Sequence, residues 1–484
     1  MNHFVPSQTP AEGLGVLLLF RLIDESVPDF FRPDLPIHVA RAPGRLDVMG
    51  GFADYSGSLV LQLATAEAAC AAVQRRTDDL LRVWSPCRDG SRTQRLSVRL
   101  GDLGLPDAPL PYDEARAFLT ADPRDRWAAY LLGCLLVLAR EQGLRPTHGF
   151  DLLVHSDVPE GKGVSSSAAV EVATMRALLA LYGLACTGRE LALLCQRVEN
   201  DVVGAPCGVM DQMTAACGEA DELLALRCQP CELEPGIAVP PELEFVGLDS
   251  GVRHAVAGSD YGSVRAGTFV GARLLAELRG LPVRAEGALR FADDPAWRGY
   301  LANCPAAEFR SRYAALLPVQ MHGAEFLQRY GGHADALSPI DPARTYPVRA
   351  PTAHPIEEND RAERFRSLLA QPFTKATGGE LGELLYAAHA SYSACGLGND
   401  VTDFLVEQVR ARQAAAGLVY GGKITGGGSG GTVVMLGERG KVWYEALRIK
   451  KALLQQTGHS GHIFRWSSPG AMSFGNLLLS PAHG

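Results

Sequence analysis

The stretch Val158-Pro-Glu-Gly-Lys-Gly-Val-Ser-Ser-Ser-Ala-Ala169 decides how this sequence is interpreted. Its two glycines permit a positive φ and a close approach of the backbone to a ligand. The three serines lead into helix-forming sequence, and the free N–H groups at the start of a helix attract anions. The stretch therefore favours a phosphate-binding loop, and a serine-capped turn is the open alternative. It is not a Walker loop, because Lys162 is followed by Gly163 and Val164.

Three further segments are rich in glycine and charged residues. They are Arg41-Ala-Pro-Gly-Arg-Leu-Asp-Val-Met-Gly-Gly-Phe-Ala-Asp-Tyr-Ser-Gly57, Gly204-Ala-Pro-Cys-Gly-Val-Met-Asp-Gln212 and Lys423-Ile-Thr-Gly-Gly-Gly-Ser-Gly-Gly-Thr-Val-Val434. With the serine loop, in this order, they resemble the motifs of the GHMP small-molecule kinases, and the segment that ends at Gln212 resembles the galactokinase branch. The similarity runs from about position 37 to the C-terminus. Within the branch, the first segment is similar to members that act on L-arabinose.

The resemblance implies an α+β fold of two domains with the active site in the cleft between them. We expect an N-terminal extension over 1–36, an N-terminal domain over 37–235 built on a mixed sheet, and a C-terminal domain over 236–484. The residues themselves support only a mixture of helices and strands. Within the C-terminal part, the proline-rich stretch 339–355 predicts a loop.

Composition agrees with this class and excludes others. The chain of 484 residues is 47% hydrophobic and 21% charged, as in globular proteins, and is long enough for two domains. A net charge of −8 argues against a nucleic-acid partner. The longest apolar run, 127–139, is too short to cross a membrane, so no membrane partner is expected. Eleven scattered cysteines predict reduced thiols and a cytoplasmic location. The oligomeric state stays open.

By resemblance, the serine loop and the glycine segment bind ATP. The implied contacts with its phosphates are Gly161, Lys162, Gly163, Val164, Ser165, Ser166, Ser167, Ala168, Gly427 and Gly428. The resemblance also implies Mg²⁺, with the Ser167 hydroxyl as one ligand and Glu199 completing the site. Mg²⁺ prefers such oxygen ligands. For Glu199, a solvated helix face is the open alternative.

Asp211 matches the carboxylate that, in the family, accepts the proton of the anomeric hydroxyl of the sugar, and Arg45 matches the arginine beside it. An adjacent guanidinium favours the ionised carboxylate, which a proton acceptor requires. It can also neutralise charge on the transferred phosphoryl group. The open alternative for Asp211 is a helix N-cap.

Asp54, Tyr55 and Tyr261 match positions that line the sugar pocket of galactokinase. Where that family carries Gly-Glu-His-x-Asp-Tyr, this chain has Gly51 and Phe52 in place of the glutamate and histidine. In the family, those two side chains bind the hydroxymethyl group of galactose. L-Arabinose lacks that group, so an apolar replacement suits the pentose, whereas unpaired buried polar groups are costly.

The resemblance therefore predicts an ATP-dependent kinase that phosphorylates the anomeric hydroxyl of L-arabinose, with ATP and Mg²⁺ as the cosubstrate and the metal. Galactose or another sugar as the acceptor is the first alternative. A sugar sensor without catalytic activity on the same fold is the second.

Overall fold

The computed structural model describes residues 3–6, 14–87, 90–252 and 259–482. Its strands, in chain order, are β1 (Phe4–Pro6), β2 (Ile37–Met49), β3 (Leu59–Arg75), β4 (Leu80–Trp84), β5 (Arg95–Arg99), β6 (Phe150–Ser156), β7 (Glu222–Arg227), β8 (Glu232–Ala238), β9 (Leu243–Asp249), β10 (Val283–Glu286), β11 (Leu289–Ala292), β12 (Gln320–His322), β13 (Thr345–Pro347), β14 (Val419–Ile424), β15 (Thr432–Glu438), β16 (Ile463–Phe464) and β17 (Asn476–Pro481).

The helices are α1 (Leu14–Glu25), α2 (Tyr112–Leu119), α3 (Trp127–Glu141), α4 (Ser166–Tyr182), α5 (Gly188–Arg197), α6 (Met210–Cys217), α7 (Ser259–Leu278), α8 (Ala306–Glu308), α9 (Gly323–Tyr330), α10 (Arg349–Leu369), α11 (Lys375–Ala394), α12 (Asp400–Ala416), α13 (Val442–Thr457) and α14 (Ala471–Phe474). Between these elements lie a 3₁₀ turn over Asp54–Ser56, after β2, and a π-helical turn over Val198–Val203, after α5.

The larger sheet has nine strands. Its main path runs β1-β17-β2-β3-β6-β4-β5, and β7 pairs with β3 and carries β8 on its other side. Only the pairing of β4 with β6 is parallel. The sheet is therefore mixed, as predicted, and the α+β class is confirmed.

Alternate residues of the central strand β3 enter two different cores, as the two-residue period of a strand requires. Ala69, Ala71 and Val73 face the core that contains α3, α4 and α6, whereas Cys70 and Ala72 face the core that α1 closes. These side chains are small, and α4 packs directly on β2 and β3. The start of α4, and the serine loop before it, therefore lie against β2.

The smaller sheet has four antiparallel strands in the order β14-β15-β9-β16. On β15, Val433 and Met435 pack with α12 and α13. Val434 and Leu436 point to the opposite face and join the main core of the larger sheet. This shared core brings the glycine-rich turn between β14 and β15 to the serine loop.

The ends of the described chain belong to the larger sheet. β17 pairs with β2 on one side and β1 on the other, and α1 packs on β3 and β6. Of the predicted extension 1–36, positions 1–2 and 7–13 lie outside the described residues. β8 crosses position 235, where the predicted domain boundary falls; that boundary stays a prediction.

A segment between α7 and α10 forms a small layer with its own core. It contains the hairpin β10-β11, the ladder β12-β13 and α9, and its apolar side chains, among them Trp297, Phe309 and Phe326, pack against α7 and α10. We call residues 279–347 the inserted segment.

The loop predicted over 339–355 is wrong at 345–347, which form β13, and for its last seven residues, because α10 begins at Arg349 and contains Pro351 and Pro355. Pro351 lies in the first turn, where a missing N–H leaves no bond unmade. Pro355 removes the donor that would bond the carbonyl of Pro351. That carbonyl instead accepts a hydrogen bond of 3.1 Å from the Thr268 hydroxyl. Among the helices of the described residues, none is long and apolar enough to cross a membrane.

Candidate active site

A cavity of about 130 Å³ lies where the serine loop, the glycine turn and the loop after β2 converge. We call it the small cavity. It is lined by residues from five separate parts of the chain: Arg45, Phe52, Asp54, Gly161, Gly163, Ser165, Ser166, Ser167, Glu199, Pro206, Cys207, Gly208, Met210, Asp211, Tyr261 and Gly427. Most of the residues singled out by the sequence therefore share one enclosed space.

The charged pair of the small cavity is Arg45 with Asp211. Arg45 lies on β2 and Asp211 in the first turn of α6, and Nε and Nη2 of Arg45 both lie 2.8 Å from Oδ1 of Asp211. The arginine side chain is 4% exposed and that of the aspartate 23%. Burial lowers the pKa of the guanidinium, but the charges of Asp211 and Asp47 outweigh it and raise the pKa above its ordinary value. The pair therefore holds a fixed orientation with one carboxylate oxygen free.

The serine loop is fixed by backbone contacts on both sides. Nη1 of Arg45 donates to the carbonyl of Gly163 at 2.7 Å, and the backbone N–H of Arg45 donates to that of Val164 at 3.1 Å. Ser165 has a φ of +60°, and α4 begins at the next residue. Val164 and Ala168 are buried beneath the loop rather than on the cavity wall. Ser166 and Ser167 line the cavity, whereas the Ser165 hydroxyl oxygen is buried.

The glycine turn meets the serine loop at backbone distance. A Cβ on Gly426 would lie 2.6 Å from the carbonyl oxygen of Gly163, and one on Gly431 would lie 2.8 Å from that of Lys162. Both glycines have positive φ values. Gly428 faces Leu397 instead, outside the small cavity. The close approach explains why glycine is required at positions 426 and 431.

A second cavity of about 900 Å³ opens on the outer side of the serine loop. We call it the large cavity. Its walls include Trp127 and Tyr130 of α3, Pro159, and residues of α1. Ser166 and Ser167 line both the large and the small cavity. The two spaces therefore meet at these hydroxyls.

Lys162 lies at the edge of the two loops and not in either cavity lining. Its Nζ is 3.1 Å from Oδ2 of Asp249, at the end of β9, and its carbonyl accepts a hydrogen bond of 2.9 Å from the Thr432 hydroxyl. The lysine therefore ties the serine loop to the smaller sheet.

Glu199 is a buried carboxyl group on the π-helical turn, and it has no arginine or lysine partner among the described residues. Burial raises its pKa to about 7, and the nearby charge of Asp211 adds to the effect, whereas hydrogen bonds involving Ser167, Cys207 and Gln212 lower it. Nε2 of Gln212 donates to Glu199 at 2.6 Å. A cation would stabilise the ionised form of such a carboxyl group.

Behind Glu199 lies a second carboxyl group that the motifs do not include. Glu171 on α4 is completely buried, and Nε2 of Gln212 reaches it at 3.3 Å while also binding Glu199. Burial and the charge of Glu199 raise the pKa of Glu171 well above its ordinary value. In the sequence, the only indication of this buried acid is that Glu171 is the one carboxylate within the apolar stretch of α4.

Asp54 and Tyr261 lie on the wall opposite the serines. Burial raises the pKa of Asp54 to about 6, with a further increase from Asp211 and a decrease from Arg265. Burial raises the pKa of Tyr261 as well, and the charge of Asp54 contributes to that shift. A Cβ on Gly208 would overlap the Asp54 carboxylate, so glycine is needed there. The carboxylate is thus held against the cavity by close packing.

Tyr55 and Gly51 do not line the small cavity. The Tyr55 hydroxyl lies 3.5 Å from that of Thr268, and the Arg265 guanidinium lies 4.9 Å from the centre of its ring. A Cβ on Gly51 would overlap the Tyr392 hydroxyl, and the Gly51 carbonyl accepts a hydrogen bond of 2.9 Å from His354. No side chain larger than hydrogen fits at position 51 without moving Tyr392.

Phe52 is the apolar part of the small cavity wall. It is 1% exposed, with a φ of +42°, and its ring stacks on His354 at 3.8 Å between centroids. Tyr392 meets it edge to face at 4.7 Å. Burial lowers the pKa of His354 to about 4, so the stacked imidazole is neutral near pH 7. The wall at position 52 therefore offers no charge to a ligand.

Comparison with known proteins agrees with this geometry. Residues 129–219, which carry the serine loop and Asp211, match the GHMP kinases N terminal domain, and residues 29–75 match the galactokinase galactose-binding signature. The chain is 44% identical to L-arabinokinase from Arabidopsis thaliana over 92% of its own length, but spans only 47% of that relative, about half. It is 33% identical to galactokinase from Chloroflexus aggregans, covering 84% of this chain and 85% of the relative.

Solved structures share the fold. Galactokinase from Lactococcus lactis, complexed with galactose, superposes with a TM-score of 0.70 at 20% identity and covers 94% of this chain and 98% of its own. A mevalonate kinase gives a TM-score of 0.51 at 14% identity, covering 89% and 99%. The matching domain, the sugar-binding signature and the 33% identity with a galactokinase over 85% of its length lead to one assignment: the chain belongs to the galactokinase branch of the GHMP kinase family.

Proposed function

We propose that the chain is an ATP-dependent sugar kinase that transfers the γ-phosphoryl group of ATP to the anomeric hydroxyl of L-arabinose, giving L-arabinose 1-phosphate and ADP. One observation carries the proposal: the large and the small cavity meet at Ser166 and Ser167. A transfer between two bound substrates needs two adjoining spaces with the reacting groups at their junction.

ATP is assigned to the large cavity, with its phosphates at the serine loop. The start of α4 supplies backbone N–H groups directed at an anion, and the serine hydroxyls add further donors. The glycine turn closes over the loop, with Gly427 on the wall of the small cavity. The base and ribose then lie between α1 and α3, where Trp127 and Tyr130 form the wall.

The sugar is assigned to the small cavity, where Asp211 acts on its anomeric hydroxyl. The free oxygen of Asp211 accepts the proton as the hydroxyl oxygen attacks the γ-phosphorus, and the bond from that phosphorus to the β-bridging oxygen breaks. Arg45 orients the carboxylate through Nε and Nη2 and brings a positive charge to the junction. Asp54 accepts hydrogen bonds from ring hydroxyls, and Tyr261 lies on the same wall.

The residues around Glu199 fit Mg²⁺. The Ser167 hydroxyl and the Glu199 carboxylate are hard oxygen donors in contact with each other, and the raised pKa of Glu199 reflects a buried carboxyl group without a cation. Within the described residues, no group of three or more aspartate, glutamate, histidine or cysteine side chains could hold a metal ion. When bound, Mg²⁺ would neutralise part of the phosphate charge, and Ser167 and Glu199 would hold it.

L-Arabinose is favoured over D-galactose by the wall at Phe52. That ring is fixed by His354 and Tyr392 and has no hydrogen-bonding group for a hydroxymethyl substituent. Desolvating that hydroxyl without a partner costs about 1–3 kcal/mol. The 44% identity with an L-arabinokinase supports the pentose. D-Galactose is the second candidate, because galactokinases match the chain over most of their own length.

Buried cysteines such as Cys70, Cys134 and Cys195 are free thiols, which supports a reducing compartment such as the cytoplasm.

The deciding experiment is a coupled ADP-release assay with L-arabinose, D-galactose and D-xylose. We expect kcat/KM for L-arabinose to exceed that for D-galactose by about 10–100-fold, from the cost of one unpaired hydroxyl. Phe52→His should narrow this ratio, and Phe269→His, a change to a ring outside the small cavity, should leave it unchanged. A native enzyme that prefers D-galactose would reassign the substrate, and no turnover of any sugar would reject the kinase.

A further inference from the structure

A third cavity, of about 550 Å³, lies between the inserted segment and the turn Asp54–Ser56. We call it the arginine cavity. Its charged lining consists of five arginines and one carboxylate: Arg273, Arg279, Arg284, Arg290, Arg298 and Asp294. The whole chain carries a net charge of −8, so this concentration of positive charge runs against the composition of the protein.

The single carboxylate of the lining is already used. Asp294 accepts hydrogen bonds of 2.6 and 2.8 Å from the two terminal nitrogens of Arg279, which also lies over Trp297. Arg284 pairs with Glu286, which does not line the cavity. Arg279 and Arg284 are thus neutralised by acidic partners within the inserted segment.

Arg290 and Arg298 have no acidic partner among the described residues. The hydrogen bonds of the Arg290 side chain there go to the backbone carbonyls of Gly287 and Leu289, at 2.7 and 2.9 Å, so its charge is uncompensated. Arg298 has no ion pair or hydrogen bond within the described chain, and its φ of +56° marks an unfavourable backbone conformation for a residue other than glycine. Such uncompensated guanidinium groups are suited to an anion.

Arg273 adds a buried donor. Its side chain is 11% exposed. Within the described residues its Nε has no hydrogen-bond partner, and the ion pair found for it there is a contact of 3.4 Å with the exposed Glu277. A buried N–H without a partner carries a free-energy cost. A ligand that accepts a hydrogen bond from this group would remove that cost.

The rest of the lining is apolar and aromatic, from Phe269, Phe291, Trp297 and Tyr300. A cavity of this size, with a few charged groups on an apolar wall, is typical of a site for a small molecule. From the charge, the unpartnered donors and the ring-lined wall, we infer that the arginine cavity binds a small phosphate ester that carries a ring.

The site has a direct connection to the small cavity. The turn Asp54–Ser56 places Asp54 in the small cavity and Tyr55 and Ser56 in the arginine cavity. Helix α7 also contributes to both cavities: Tyr261, at its start, lines the small cavity, and Arg273, further along, lines the arginine cavity. A ligand in the arginine cavity would therefore contact the same two elements that hold the wall of the small cavity.

The test is isothermal titration calorimetry on the full chain, with L-arabinose and a non-hydrolysable ATP analogue present at saturation so that the other two cavities are filled. The probes are glucose 6-phosphate, AMP and inorganic phosphate, which separate a sugar phosphate, a nucleotide and the bare anion. We expect saturable binding of at least one ester. Arg290→Gln with Arg298→Gln should weaken it by at least about tenfold, since each lost charged hydrogen bond is worth more than about 1 kcal/mol.

The matched control is Arg310→Gln with Arg312→Gln, which removes the same charge from exposed positions of the inserted segment outside the cavity. This variant should bind as the native chain does. If Arg290→Gln disturbs the hairpin, Arg298→Gln alone should still weaken binding by about threefold or more. The inference is overturned by absence of binding for all three probes, by binding that survives the loss of both arginines, or by equal loss in the control.

Discussion

The two ends of the small cavity each contain a carboxyl group, and the charges around these two groups differ in kind. At one end, Asp211 forms an ion pair with Arg45, so a positive charge is built into the protein. At the other end, Glu199 has only neutral hydrogen-bond partners, and Glu171 lies behind it as a second buried acid. The charge of Asp211 is therefore balanced by the protein itself, whereas Glu199 requires a proton or a bound cation to be electrically balanced. We call these the complete end and the incomplete end of the small cavity.

The Asp211 end carries the largest expected effect. Asp211→Asn keeps the size of the side chain and one acceptor oxygen for Arg45 but removes the carboxylate that accepts the proton, so kcat should fall by about 100–10,000-fold, the range for losing a general base. Affinity for L-arabinose, measured calorimetrically, should change little. Asp201→Asn, on the neighbouring turn and paired with Arg197, serves as the control. A kcat within about threefold of the native value would remove Asp211 from the chemistry.

Arg45→Lys tests whether the complete end needs geometry as well as charge. Arg45 contacts Asp211 through two nitrogens and the carbonyl of Gly163 through a third, and a lysine ammonium cannot span these positions. We expect kcat to fall by about 10–100-fold, from the loss of one or two charged hydrogen bonds. The comparable exchange Arg32→Lys, at an exposed pair, should have no effect. Native activity in Arg45→Lys would show that the positive charge at position 45 is sufficient and that the planar geometry of arginine is not required.

Glu199→Gln should separate activity from stability at the incomplete end. The variant should need more Mg²⁺ for half-maximal activity, because one ligand is weakened. Without Mg²⁺ at pH 8, its free energy of unfolding should exceed that of the native chain by on the order of 1–3 kcal/mol, since it no longer buries an uncompensated charge. Denaturant titration measures this difference. Equal Mg²⁺ requirements, or a less stable variant, would place the metal elsewhere.

The pH dependence gives the smallest and most specific effect. The folded pKa of Glu199, about 7, lies above its ordinary 4.5, so the folded state holds an extra proton between these values. Stability without Mg²⁺ should therefore fall as pH rises from 4.5 to about 7 and remain lower above that. For catalysis, kcat/KM should fall as pH drops below about 7, with Asp54 adding a second step near 6. In Glu199→Gln only the step near 6 should remain.

The short motifs predicted which residues distant in sequence lie close together in the fold. They did not predict the orientation of each side chain as well. Arg45, Asp211 and Ser167 each lie in one of the quoted segments, and with Glu199, which lies just before the segment that begins at Gly204, they line the small cavity. Tyr55 lies in such a segment too, yet its ring points away from the small cavity because a 3₁₀ turn rotates it toward Thr268. The orientation of a side chain in a turn depends on tertiary packing, which the motif does not contain.

Other features depend on partners remote in sequence. The crowding at Gly51 comes from Tyr392, and the helix through Pro355 is possible because Thr268 bonds the freed carbonyl. The arginine cavity lies in the inserted segment, which none of the four motifs covers. The sequence shows Glu171 as a lone acidic residue in an apolar helix, so its burial could have been predicted. Its connection to Glu199 through Gln212 is visible only in the folded structure.

The position of β17 has a consequence for how the protein is made. This strand, the last one described along the chain, lies between β1 and β2 in the larger sheet. While the polypeptide emerges from the ribosome, the edge of β2 has no neighbour until residues 476–481 have been synthesised. An open edge of this kind can pair with other nascent chains, so this edge of β2 depends on strand β17 for its protection during synthesis.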